Sequence, residues 1–75
     1  MSDREGPAKR DFRMRLADRL TVVRLRIDLG DIRTAVQFKR ELERDGYFTL
    51  DDPRVRNACA AAGLAAWVDR ADSAT

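Results

Sequence analysis

The feature that most restricts this chain is its lack of residues that cross-link a small fold: 75 residues include one cysteine, Cys59, and no histidine. A chain this short buries only about 60% of the surface that it exposes when unfolded. Small domains therefore commonly depend on disulfides, a metal or a partner subunit. A single thiol without histidine provides neither an internal disulfide nor a zinc site. We therefore expect stabilisation through association, as a homodimer.

The same composition argues against catalysis. Cys59 lies in an alanine-rich segment, which indicates a small buried side chain, and no histidine is present to activate it. The adjacent carboxylates Asp51 and Asp52 precede Pro53, where they would satisfy free N–H groups at a helix start. Four scattered glycines do not form a phosphate-binding loop. We therefore expect no enzymatic activity, no metal and no cofactor.

Domain organisation and location are predicted from where apolar residues occur. The longest apolar stretch, 58–68, is too short to cross a bilayer, and residues 1–9 lack the apolar run of a signal peptide. We therefore expect a cytoplasmic protein without a membrane partner. It would consist of a disordered arm over 1–8, one small domain over 9–70 and a frayed tail over 71–75.

Residues 9–29 carry two overlapping periodicities, and the fold class depends on which of them prevails. The helical period places five apolar residues within one arc: Phe12, Leu16, Leu20, Val23 and Ile27. The alternating period of a strand also has an apolar set: Val23, Leu25, Ile27 and Leu29. A strand would bury Leu25 and Leu29, which a helix would place on its opposite side, and β-branched residues there favour a strand. We therefore favour a helix over 9–19 followed by a strand over 21–28, with one continuous helix as the open alternative.

The remainder of the chain has helical patterns. Asp31 and Gly46 delimit a helix over 32–45, as an N-cap and a C-cap residue. A helix-start box at 49–52 begins the last helix, which extends to about residue 70 and is weakened or divided at Gly63. The predicted fold is mainly α with one short strand. The alternative is an all-α three-helix module, in which the first helix is continuous.

Arginine dominates the charge of the chain. Thirteen of the fifteen basic residues are arginine, whose planar fork suits phosphate and carboxylate groups. Residues 1–29 contain eight basic and five acidic residues, a net charge of +3, whereas residues 30–75 contain seven and eight, a net charge of −1. The first part of the chain is therefore the better candidate for contact with an anionic partner.

The order of elements, a strand over 21–28, a helix over 32–45 and a capped last helix, resembles the ribbon-helix-helix family of DNA-binding proteins. The resemblance covers residues 20–70. It implies a dimer whose two strands pair as a ribbon in the major groove of double-stranded DNA, where Arg24 and Arg26 would read base edges. It also implies a basic arm that contacts phosphates through three further arginines: Arg10, Arg13 and Arg15.

Two functions are compatible with these patterns. The first is a small DNA-binding transcriptional regulator of the repressor, antitoxin or plasmid-partition kind. The alternative is an all-helical module that binds another protein, as an inhibitor, an adaptor or a small subunit. In the helical alternative, the first helix would expose a second apolar set on the side opposite its core stripe: Met14, Val22, Leu25 and Leu29.

Overall fold

A computed structural model describes the backbone of residues 6–74 and the side chains of residues 11–74. Four helices follow one another in chain order: α1 (Gly6–Asp28), α2 (Ala35–Leu42), α3 (Pro53–Ala61) and α4 (Ala65–Ala74). Residues 6–74 contain no strand. The mainly α prediction is therefore confirmed. Of the arm expected over 1–8, residues 6–8 begin α1, and residues 1–5 lie outside the described part.

The strand predicted over 21–28 is wrong, because these residues continue α1 without a break. The helical stripe prevails because it places Leu16, Leu20 and Val23 together on one side of a continuous helix, where all three are buried. The preference of β-branched residues for a strand is overridden by this packing. Thr21 even joins the helical pattern, since its hydroxyl donates to the carbonyl of Ala17 at 2.9 Å. The resemblance to ribbon-helix-helix proteins thus lacks its strand in this structure.

The second helix is shorter than the predicted span of 32–45. It begins three residues later because Thr34, not Asp31, is the N-cap, and Thr34 and Gln37 form a reciprocal capping box. It ends at Leu42, where the guanidinium of Arg19 donates to the carbonyls of Glu41 and Leu42. The capping box at Thr34 and the contact with Arg19 set the two ends of α2, whereas the apolar period alone predicts a longer helix.

The predicted last helix is two helices, so that the all-α fold has four helices and not three. Gly63 separates them with a φ of +81°, a left-handed conformation that glycine adopts without steric strain. The second of them, α4, continues to Ala74, beyond the domain boundary predicted at residue 70. Its last turns are held because Ala71 is buried, whereas a frayed tail was expected from residue 71.

The core lies where the four helices meet. Helix α1 packs against α2 and α3, and α4 packs against the same two helices from the other side. Phe38 of α2 is fully buried, and its ring lies 5.7 Å from that of Trp67 in α4. Cys59 is also buried, and burial raises the pKa of its thiol to about 11. Among the described residues no polar or charged residue is fully buried.

Three carboxyl groups paired with arginines give the fold a predictable dependence on pH. In each, a hydrogen bond from an arginine side chain is the main cause that holds the pKa below its ordinary value of 3.8. The pairs are Asp45 with Arg19, Asp52 with Arg54, and Asp72 with Arg56. A lowered folded-state pKa adds stability that is present above the unfolded pKa and is lost as the pH falls through the folded value.

We therefore expect the urea midpoint of unfolding to be nearly constant between about pH 5 and 8, where no histidine titrates, and to fall below about pH 4. The measurement is urea unfolding followed by circular dichroism across this range. The variant Asp72→Asn should lose part of the acid sensitivity, because it removes one of the three carboxyls. An unchanged midpoint at about pH 3 would contradict the assignment.

Candidate functional site

A groove of about 650 Å³ lies between α1 and α3. We call it the α1–α3 groove. Its α1 wall consists of Phe12, Arg13, Leu16, Ala17, Leu20, Thr21 and Arg24. Its α3 wall consists of Arg54, Ala58, Ala61 and Ala62. The lining is thus mostly apolar, with arginine as its only charged residue type.

The groove exists because its two walls carry side chains of different size. Leu16 and Leu20 of α1 are buried and form its floor, whereas α3 presents alanines, which are too small to fill the space between the helices. The alanine-rich character of this segment, evident in the sequence, is what leaves the groove open. No other described helix lies across it, because α2 and α4 contribute no lining residue.

The two helices that form the groove run in the same direction. At one end, the guanidinium carbon of Arg54 lies 3.9 Å from the centre of the Phe12 ring. At the other end, Nη1 of Arg24 donates to the carbonyl of Ala62 at 2.8 Å. The rise of a helix places Phe12 and Arg24 about 18 Å apart along α1, so the groove is about three helical turns long.

The arginines of the groove differ in how far their charge is already compensated. Arg54 forms a two-point ion pair with Asp52, with Nη2 to Oδ2 at 2.6 Å, and this hydrogen bond raises its pKa. Arg24 donates to a neutral carbonyl, and within residues 11–74 no carboxylate pairs with it. The groove therefore has an uncompensated cation at the end formed by Arg24.

Of the five arginines predicted to bind nucleic acid, the four with described side chains do not form one surface. Arg13 and Arg24 lie together on the α1 wall of the groove. Arg26 points elsewhere, with Nη1 at 2.8 Å from Oε1 of Glu41, and Arg15 pairs with Asp11 at 3.1 Å. A strand would have aligned residues 24 and 26 on one side, whereas a helix separates them by about 200°. The side chain of the fifth, Arg10, lies outside the described side chains.

A second apolar surface lies along α1 and the residue that follows it, Leu29, on the side away from the core. Its four side chains are 44% to 68% exposed: Met14, Val22, Leu25 and Leu29. We call it the outer face. Their exposure confirms the expectation attached to the all-helical alternative. Unlike the groove, the outer face is convex. It also includes an acidic residue, since Asp18 lies between Met14 and Val22 on the same side of the helix.

One residue of the groove was not recognised from the sequence. Arg54 was not assigned a role, although it lies on the same helical face as the alanines at positions 58, 61 and 62. That spacing of four, seven and eight residues is the signal by which it could have been found. Its distance of 30 residues from Arg24 in the sequence concealed their common site.

Comparison with protein-family models, curated proteins and solved structures yields no match. Within residues 6–74, no helix has the length and the apolar character that crossing a bilayer requires. No group of three or more histidine, cysteine or acidic residues in this part of the chain is placed to hold a metal ion.

Proposed function

We propose that this chain is a protein-interaction module that binds a segment of another protein in the α1–α3 groove. The observation that carries the proposal is the groove itself: an apolar channel with a floor of leucines, an alanine wall and arginines along it. Exposed apolar concavities of this kind on a small domain are typical of binding sites for protein segments.

The groove favours a protein partner over DNA because of its lining. Protein–DNA interfaces are more polar and more positively charged than protein–protein interfaces. Of the arginines expected to contact DNA, Arg15 and Arg26 are paired with carboxylates of this chain. The charge of Arg24 lies beside buried leucines of the groove, which a phosphate backbone would not cover.

The shape of the groove favours a protein segment over a small molecule. Sites for small molecules bury most of the ligand surface. Here one wall consists of alanines, and Ala61 on that wall is exposed, so a compact ligand would remain largely in solvent. An extended surface about 18 Å long is better matched by three turns of helix or a short peptide.

The test is a selection of random peptides of about 16 residues, displayed on phage, against the full chain. Selected peptides are then measured by fluorescence anisotropy on wild type and on Ala61→Trp, which fills the groove with an indole ring. We expect Ala61→Trp to weaken binding by at least about tenfold, since it removes the space that the peptide occupies.

The matched control is Ala60→Trp, because Ala60 is an exposed neighbour on α3 that does not line the groove. It should bind the peptides like wild type, and circular dichroism checks that both variants fold. Equal binding by all three proteins would contradict the proposal. Salt-sensitive binding of duplex DNA that Arg24→Gln abolishes would support the DNA-binding alternative instead.

A further inference from the structure

We infer that the partner segment is an amphipathic helix with a carboxylate at each end of its apolar face. This inference rests on the proposed function and names the chemistry of the partner at the same site. It follows from two properties of the α1–α3 groove: the arrangement of its helices and the sign of its charge.

The arrangement of the helices indicates a helical occupant. Helices α1 and α3 lie side by side, with paired contacts at both ends, Arg54 on Phe12 and Arg24 on Ala62. The space between two adjacent helices is the surface on which a third helix packs. The alanines on the α3 wall permit the backbone of such a helix to approach closely, while its larger side chains cover Leu16 and Leu20.

The charge of the groove indicates carboxylates on that helix. Among residues 11–74, three arginines line the groove, and no aspartate or glutamate does. Arg24 uses Nη1 for the carbonyl of Ala62, and a guanidinium has five N–H donors. Arginine binds carboxylates in a two-point geometry, so an acidic partner suits Arg24 better than a neutral one. Arg54, already paired with Asp52, would contribute less.

The spacing of the arginines gives the pattern of the partner. Arg13 and Arg24 are three turns apart on one face of α1. A helix lying along α1 would meet both with acidic residues separated by eleven positions. Apolar residues four and seven positions after the first acid then fall on the same face, above the leucines of the floor. The expected motif has acids at peptide positions 1 and 12 and apolar residues at 5 and 8.

The probe is a library of peptides of about 16 residues, randomised at positions 1, 5, 8 and 12 and selected on the wild-type chain. Sequencing of the bound pool should show aspartate and glutamate enriched at least about fivefold at positions 1 and 12, and apolar residues enriched at 5 and 8. Selection on Arg24→Gln should reduce the acidic enrichment at one of the two end positions and leave the other. Arg40→Gln, an exposed arginine on α2 outside the groove, should change neither.

A synthetic pair measures the effect directly. We expect the peptide with two glutamates to bind wild type about fivefold more tightly than its glutamine counterpart at low salt, and the difference to shrink as salt screens the charges. On Arg24→Gln the difference should fall to about twofold. Circular dichroism of the complex should show added helix, since the peptide folds on binding.

The outcomes separate the inference from the proposed function. Apolar enrichment at positions 5 and 8 without acidic enrichment would overturn the inference, while loss of those peptides on Ala61→Trp would leave the proposed function intact. If selection on the wild-type chain enriches no peptide position relative to selection on Ala61→Trp, the inference and the proposed function are both contradicted. Sedimentation tests whether a second copy of the chain occupies the groove. Self-association that is lost in Ala61→Trp, and that persists when the peptides are added, would identify a second copy as the occupant. This result would also overturn the inference.

Discussion

Replacing Phe38 with alanine is expected to leave most of the chain unfolded at room temperature. The Phe38 ring is fully buried and packs against Trp67, so its removal opens a cavity between α2 and α4. Truncation of a buried phenylalanine costs about 3–5 kcal/mol. A core of this size rarely supplies more than about 3–5 kcal/mol of total stability, so the loss is comparable to the whole.

Urea unfolding, followed by far-ultraviolet circular dichroism and by the fluorescence of the single tryptophan, measures this effect. The control is Val36→Ala on the same helix, where the side chain is 52% exposed and the change should stay within about 0.5 kcal/mol. A Phe38→Ala variant that unfolds with the wild-type midpoint would show that the core is not organised around this ring.

The second large effect is expected at Arg19, a residue of α1 whose side chain is only 11% exposed. Its guanidinium donates to the carbonyl of Leu42 at 2.8 Å and to Oδ2 of Asp45 at 2.8 Å. The guanidinium carbon lies 5.4 Å from the centre of the Phe48 ring. Hydrogen bonds to charged groups contribute about 1.5–3 kcal/mol. Arg19→Ala should therefore lower the free energy of unfolding by about 2–3 kcal/mol, because it removes the side-chain donor of the Leu42 carbonyl at the end of α2.

Arg15 provides a matched comparison, one turn earlier on the same helix. It also pairs with an aspartate and lies near an aromatic ring, that of Tyr47, but its side chain is 60% exposed. Solvent screens such pairs, so that Arg15→Ala should cost no more than about 0.5 kcal/mol. Equal losses for the two variants would mean that the carbonyl contacts of Arg19 add nothing, and the assigned capping role would be rejected.

The sequence allowed the helical stripe of α1 to be recognised, but not the choice between a helix and a strand over 21–28. Leu25 and Leu29 were placed in the core because a strand would have buried them beside Val23. In the structure α2 and α3 cover only one side of α1, so Leu25 and Leu29 remain 54% and 68% exposed. The periodicity of apolar residues indicates that a segment is amphipathic. How much of its apolar surface is buried depends on the helices that pack against it.

The candidate site was predictable only in part, for a related reason. Arg13 and Arg24 were identified from the charge of the first 29 residues, and both line the groove. The opposite wall depends on the direction in which α3 passes α1, which follows from the turn after α2 and the cap at Asp52. No local pattern encodes that direction, so Arg54 and the alanines beside it could not be joined to Arg24 before the fold was known.

The position of α4 has a practical consequence for handling this protein. It packs against α2 and α3 and lines no part of the groove, so an anchor attached at the C-terminal end would be held away from the binding surface. A fusion ahead of α1 would instead begin about two turns from Phe12, at the mouth of the groove. Immobilisation on a sensor chip, or attachment of a bulky dye, is therefore best made through the C-terminus.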